Sequence, residues 1–187
     1  MTINYTITTI KRELIRAFAT VDEWFDRDDD FLEFKPREGK SVREIFAHII
    51  HLSDSLMGVI DHGGDQARRQ AIADKQRGVT RSYAVKEVLF EEENIRNFFY
   101  EITGKYKGNT LNRSLPEIRS ELRDQLDRCL CHLELLRNGE GVLHNTSLNV
   151  QGHDTIDVYQ CIRLLSLNLW KYIAILIETD KEFNERT

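Results

Sequence analysis

Apolar residues recur three or four positions apart through four separate stretches of this chain, and few breakers interrupt them. Ile3, Ile7, Ile10, Leu14, Ala17, Phe18, Val21, Trp24 and Phe25 form the first series. That spacing is one face of an α-helix, and it predicts a helix from about Thr2 to Asp26. The acidic, Pro- and Gly-containing run DRDDDFLEFKPREGK then breaks it. A second series, Val42, Ile45, Phe46, Ile49, Leu52, Leu56, Val59 and Ile60, follows Ser41, which has Glu44 three positions on. This is a capping box: the Ser hydroxyl accepts from the Glu amide, and the Glu carboxylate reaches back to the Ser amide. DHGGD at 61–65 is predicted to end that helix. The third series, Leu115, Ile118, Leu122, Leu126, Cys129, Leu133 and Leu136, starts behind Ser114, Pro116 and Glu117, with Pro in the first turn. RNGEG ends it. The last helix is predicted from about Asp154 to Thr179. It is apolar around most of its circumference, so it is expected to be the most buried.

With two prolines and ten glycines in 187 residues, this pattern predicts one all-α domain over residues 1–187. Residues 61–113 read as an enlarged crossover between the second and third long helices. Within it, QARRQAIADKQRG is polar and reads as a short exposed helix or a mobile segment. Helical spacing of Val85, Val88, Leu89, Ile95, Phe99 and Ile102 predicts an extra helix from about Arg81 to Ile102. VLHNTSLNVQGHD has no helical period and reads as an extended return. Long gaps after the second and third helices allow a crossover topology as well as an up-down one.

Charge and cysteines narrow the setting. The chain carries 31 acids against 26 bases, a formal net charge of −5, which argues against nucleic acid as a partner. The N-terminal residues alternate polar and apolar, unlike a signal peptide. No uninterrupted apolar run reaches the ~18 residues of a membrane span, so the expected location is the cytoplasm. The three cysteines form no CxxC pair, and Cys129, Cys131 and Cys161 read as small core or boundary residues.

Few residues offer chemistry. At ~100° per residue, His48 lies at the flank of its helix's apolar stripe and His51 points toward water. On the last helix, Gln160, Arg163, Lys171 and Glu178 form the polar face. Asn168 and Tyr172 fall on the inward side, four apart and stacked on one face. His48, Asn168 and Tyr172 could line a pocket between helices. They read equally as a boundary histidine with one hydrogen bond, a structural asparagine and a core tyrosine. No Ser/His/Asp grouping, Gly-rich phosphate loop or Glu-x-x-His pair is present.

FKPREGKSVREIFAHIIHLSDSL, with its Pro, Gly, capping box and inward His48, resembles the second-helix region of the DinB/YfiT-like superfamily of four-helix-bundle proteins. HDTIDVYQCIRLLSLNLWKYIAIL resembles the family's last helix through Val158, Tyr159 and Gln160, and SLPEIRSELRDQLDRCLCHLELL fits its third helix. Residues 61–113 have no counterpart. The resemblance implies a DinB/YfiT-like four-helix bundle with an extra helix in the crossover, often a homodimer. It also implies a divalent metal held by three histidines, one on the second helix and two at i and i+4 on the last. His48 matches the first, while Asn168 and Tyr172 stand at the other two positions. An amide is a poor ligand for zinc or nickel, and a phenol ligates only as phenolate, with an unperturbed pKa of ≈10. The expectation is therefore a degenerate metal site without a bound cofactor, in a non-catalytic binding or interaction module that takes a small-molecule ligand in the bundle pocket. Two alternatives stay open. One is a zinc- or nickel-dependent thiol transferase or isomerase using an altered His48/Asn168/Tyr172 site, with the loop residues His144 or His153 as further candidate ligands. The other is a metal-free enzyme with His48 as general base.

Overall fold

Both predicted capping boxes form. Ser41 Oγ accepts from the Glu44 amide at 3.2 Å while the Glu44 carboxylate accepts from the Ser41 amide at 2.7 Å. Ser114 and Glu117 repeat the arrangement at 3.4 and 2.7 Å. The computed structural model describes residues 3–85, 113–146, 148 and 155–186. Its helices are α1 (Ile3–Glu23), α2 (Asp29–Leu32), α3 (Val42–Gln76), α4 (Leu115–Leu135) and α5 (Val158–Arg186), with 3-10 turns at Trp24–Asp26 and Glu140–Leu143. Among the described residues there is no strand; the single β-bridge pairs Asn145 with Asp157. The all-α expectation holds.

Cross-helix contacts give the direction of each long helix. Arg119 binds both Asp22 and Asp26, and Leu122 and Leu126 lie by Ile15 and Phe18, so α1 and α4 are antiparallel. Gln125 reaches Asp54 at 2.7 Å, Cys129 Sγ lies 3.3 Å from Met57 Sδ, and His132 meets Asp61 at 2.8 Å. These residue numbers rise together, so α3 and α4 are parallel. Gly63 packs on Val158 at one end, and the Arg37 amide donates to Glu182 at the other, which makes α3 and α5 antiparallel. The up-down-down-up order requires the connection from α3 to α4 to return along the bundle, which is a crossover. Leu14, Phe46, Ile49, Leu56, Leu165, Leu169 and Leu176 are among the fully buried side chains of the shared core.

The second helix does not end at DHGGD. It runs through both glycines to Gln76, so the crossover begins after that residue rather than at 61. The reason is packing. A Cβ on Gly64 would lie 2.4 Å from His132 Nδ1, and one on Gly63 would lie 3.1 Å from Val158 Cγ2. These glycines let neighbouring elements approach the helix; they do not terminate it. Gly78, at φ +71°, follows the helix end. Arg81–Val85 are not helical, and the rest of the helix expected to Ile102 lies outside the described residues.

Gly58 supplies a control for Gly64, because it is a helical glycine whose added Cβ would meet nothing within 4 Å. Gly58→Ala is expected to raise stability by roughly 0.5–1 kcal/mol through helix propensity. Gly64→Ala is expected to lower it by about 1–3 kcal/mol, because the His132 ring must give way and its bond to Asp61 with it. Urea denaturation of both variants tests this; equal midpoints would refute the packing account.

The last helix is longer than predicted, ending at Arg186, and begins at Val158. Gln160 is not on its polar face. It is buried, and it closes a reciprocal cap with Asp157: the Gln160 amide donates to Asp157 Oδ1 at 3.0 Å and Gln160 Oε1 accepts from the Asp157 amide at 2.8 Å. By length and composition α5 is apolar enough to cross a membrane, but 61% of that window is buried inside the bundle, so the core accounts for its apolarity. Cys129 and Cys161 are buried as expected, while Cys131 is exposed. Burial pushes both buried thiols up to about 12.

Candidate functional site

His48 sits in the second turn of α3, half-buried, at the edge of the stripe that carries Ile45, Ile49 and Leu52. The Lys40 ammonium donates to its Nε2 at 2.9 Å. An ammonium has only donors, so Nε2 is the acceptor and the ring proton sits on Nδ1. Burial, then the charges of Lys40 and His51, lower its pKa, which keeps the imidazole neutral. The lone pair that a metal or a substrate proton would use is the one Lys40 occupies. His51, expected to face water, is also half-buried, beside Asp54 and Arg113.

Asn168 and Tyr172 are both buried, as their spacing predicted. Asn168 is 0% exposed, and neither its Nδ2 nor its Oδ1 has a hydrogen-bond partner among the described residues. Ser53, on α3, is equally buried, and its Oγ has no partner among the described residues. Burial pushes the Tyr172 phenol up to about 12, so it stays protonated near neutrality and offers no phenolate. The antiparallel register that sets Gly63 against Val158 also sets Ser53 level with Asn168 and His48 level with Tyr172. The three predicted residues thus lie at one level along the α3–α5 pair. No hydrogen bond joins His48 to either of the others.

The other histidine candidates lie elsewhere. His144 packs edge-on to His62, with ring centroids 5.7 Å apart, beside Gly63; His153 lies outside the described residues. Among the described residues no group of three or more His, Cys, Asp or Glu side chains could hold a metal ion.

Sequence reasoning missed a polar cluster between α3 and α4. Arg113 Nη1 bridges Asp54 at 3.1 Å and Glu121 at 2.7 Å, and Gln125 Nε2 donates to the other Asp54 oxygen at 2.7 Å. Burial and the neighbouring Asp54 carboxylate raise the Glu121 carboxyl. Each acid here is already bonded, so the cluster ties helices together. Its signal was available: Gln125 lies between Leu122 and Leu126, where a buried amide demands a partner.

No family model, curated protein or solved structure matches this chain. The likeness to the DinB/YfiT-like superfamily rests on the sequence stretches quoted above.

Proposed function

We propose that this chain is a DinB/YfiT-like bundle protein that works as a non-catalytic binding or interaction module, with the metal-binding seam kept and its ligands changed. Asn168 carries the reading. An amide buried with neither polar atom bonded costs roughly 1–3 kcal/mol, which an aliphatic side chain at that position would avoid. It stands one turn from a phenol held protonated, where the resemblance places two imidazoles. Such a seam suits a small hydrogen-bonding ligand better than a transition metal, since neither residue is a good donor to zinc or nickel. A cytoplasmic homodimer belongs to the same reading.

The test rebuilds the ligands. Wild-type protein without a tag should take up less than about one equivalent of zinc or nickel, and weakly. Asn168→His combined with Tyr172→His should bring three imidazoles to one point, at a packing cost of about 1–3 kcal/mol. Calorimetry should then show tight zinc binding, and zinc at a hundred times Kd should stabilise the variant by about 2.7 kcal/mol. Adding His48→Ala should remove the gain, and adding Lys40→Met should strengthen it by freeing Nε2. Stoichiometric metal in the wild type would defeat the reading, and so would a folded double variant with no gain.

A further inference from the structure

α3 has 35 residues and α4 has 21. They lie parallel, with Asp61 level with His132, so about the last three turns of α3 project beyond the end of α4. The overhang leaves a groove of about 510 Å³, lined by Arg68, Ile72 and Lys75 of α3, Val79 of the segment that follows, and Leu135 and Asn138 beyond it. Its volume is typical of small-molecule sites.

Two features of the lining point to one kind of ligand. Ile72, Val79 and Leu135 are 48%, 44% and 47% exposed, so three aliphatic side chains from three parts of the chain meet water around one concavity. Of the groove's two acids, Asp74 is paired with a cation, and Glu140 is hydrogen-bonded only by the neutral Asn138. Asp74 accepts from Arg81 at 2.6 Å and from Gln70 at 2.8 Å, and Glu140 accepts from Asn138 at 2.8 Å. Arg68 and Lys75, by contrast, make no ion pair with the described residues. They flank Ile72 on one helix face, about 10 Å apart along the axis. The α3 wall therefore presents apolar surface with two cations beside it that make no ion pair with the described residues, and the lining as a whole holds three cations, Arg68, Lys75 and Arg81, against two acids, Asp74 and Glu140.

The geometry points to a binding site for an anionic amphiphile, a straight-chain alkyl carboxylate whose chain covers Ile72, Val79 and Leu135 and whose head meets Arg68 or Lys75. Alkyl burial supplies the attraction and the charge-assisted hydrogen bond sets the orientation. Ile72 is about 36 Å along α3 from His48, so this site and the α3–α5 seam stand or fall separately.

Decanoate is the probe, titrated into the full chain by calorimetry, with decanol and acetate as the chain-only and head-only controls. Decanoate should saturate one site, decanol should bind at least about tenfold more weakly, and acetate should show no binding over the same range. Arg68→Glu with Lys75→Glu should weaken decanoate by at least about tenfold, and Leu135→Ser should weaken decanoate and decanol alike. The milder Arg68→Gln with Lys75→Gln gives the same comparison if charge reversal disturbs folding. Absence of saturable decanoate binding overturns the proposal. Equal binding of decanoate and decanol that neither charge variant changes also overturns it, as that is apolar adsorption without a head-group site.

Discussion

Tyr159→Phe is expected to lower stability by about 2–3 kcal/mol, although it removes a single oxygen. Tyr159 is fully buried in the first turn of α5. Its hydroxyl donates to the Leu136 carbonyl at the end of α4 and accepts from the Gly141 amide at 3.1 Å. One oxygen therefore ties the end of one helix, the following 3-10 turn and the start of another. Phenylalanine keeps the ring packing but leaves the Gly141 amide without its acceptor. The Leu136 carbonyl loses less, since it also accepts from the Gly139 amide at 3.1 Å. For a chain of this size the loss corresponds to a Tm drop of roughly 4–12 °C. Gly141→Ala approaches the same lock from the other side, because its Cβ would lie 2.6 Å from the Tyr159 ring; it should destabilise comparably. Because both act on one contact, the double variant should cost clearly less than the sum. Calorimetric scans of the three variants test this. A Tyr159→Phe variant that melts with the wild type would mean that the hydroxyl carries no net stability.

What the sequence made legible was local. The capping boxes at Ser41 and Ser114 need only residues three apart, and the inward faces of Asn168 and Tyr172 need only the pitch of one helix. Most of the misreadings depend on partners that a helical wheel does not show. Gly63 and Gly64 look like a helix terminator until His132 and Val158 are seen against them. Gln160 falls on the polar side of a helical wheel, but Asp157 folds back on it and burial follows. Helix direction was left open by loop lengths alone; contacts such as Asp22–Arg119 and Asp61–His132, between residues far apart in sequence, decide it. The candidate site divides the same way. That Asn168 and Tyr172 are buried on the inner side of α5 could be read from periodicity. That Lys40 engages the His48 lone pair, and that Asn168 lacks a partner among the described residues, depends on how the 33–41 loop and the two helices meet.

Asp157 is where pH should act on the fold. Its carboxyl caps α5 while only 7% exposed, and burial pushes its pKa up from 3.8 to about 6, against the lowering effect of the Gln160 and Tyr159 amides. A helix N-terminus favours an anion by about 0.3–1 kcal/mol, up to ~2 in buried settings. Desolvation outweighs that here. The sign follows from proton counts. Between pH 4 and pH 6 the folded chain retains a proton that the unfolded chain has released, so stability falls as pH rises through that window. The contribution is present in full below the unfolded value and lost above the folded one. At about 1.4 kcal/mol per pH unit, the loss reaches roughly 3 kcal/mol. Asparagine keeps an acceptor oxygen at the cap, where it ranks with aspartate, but does not ionise. Asp157→Asn should therefore be more stable than wild type at pH 7 by about 1–3 kcal/mol, and the gap should close by pH 4. Urea denaturation of both proteins at pH 4, 5, 6 and 7 measures the gap directly and cancels the other titrating groups. A variant less stable at pH 7 would show that the cap and the helix dipole, rather than desolvation, dominate at this carboxylate.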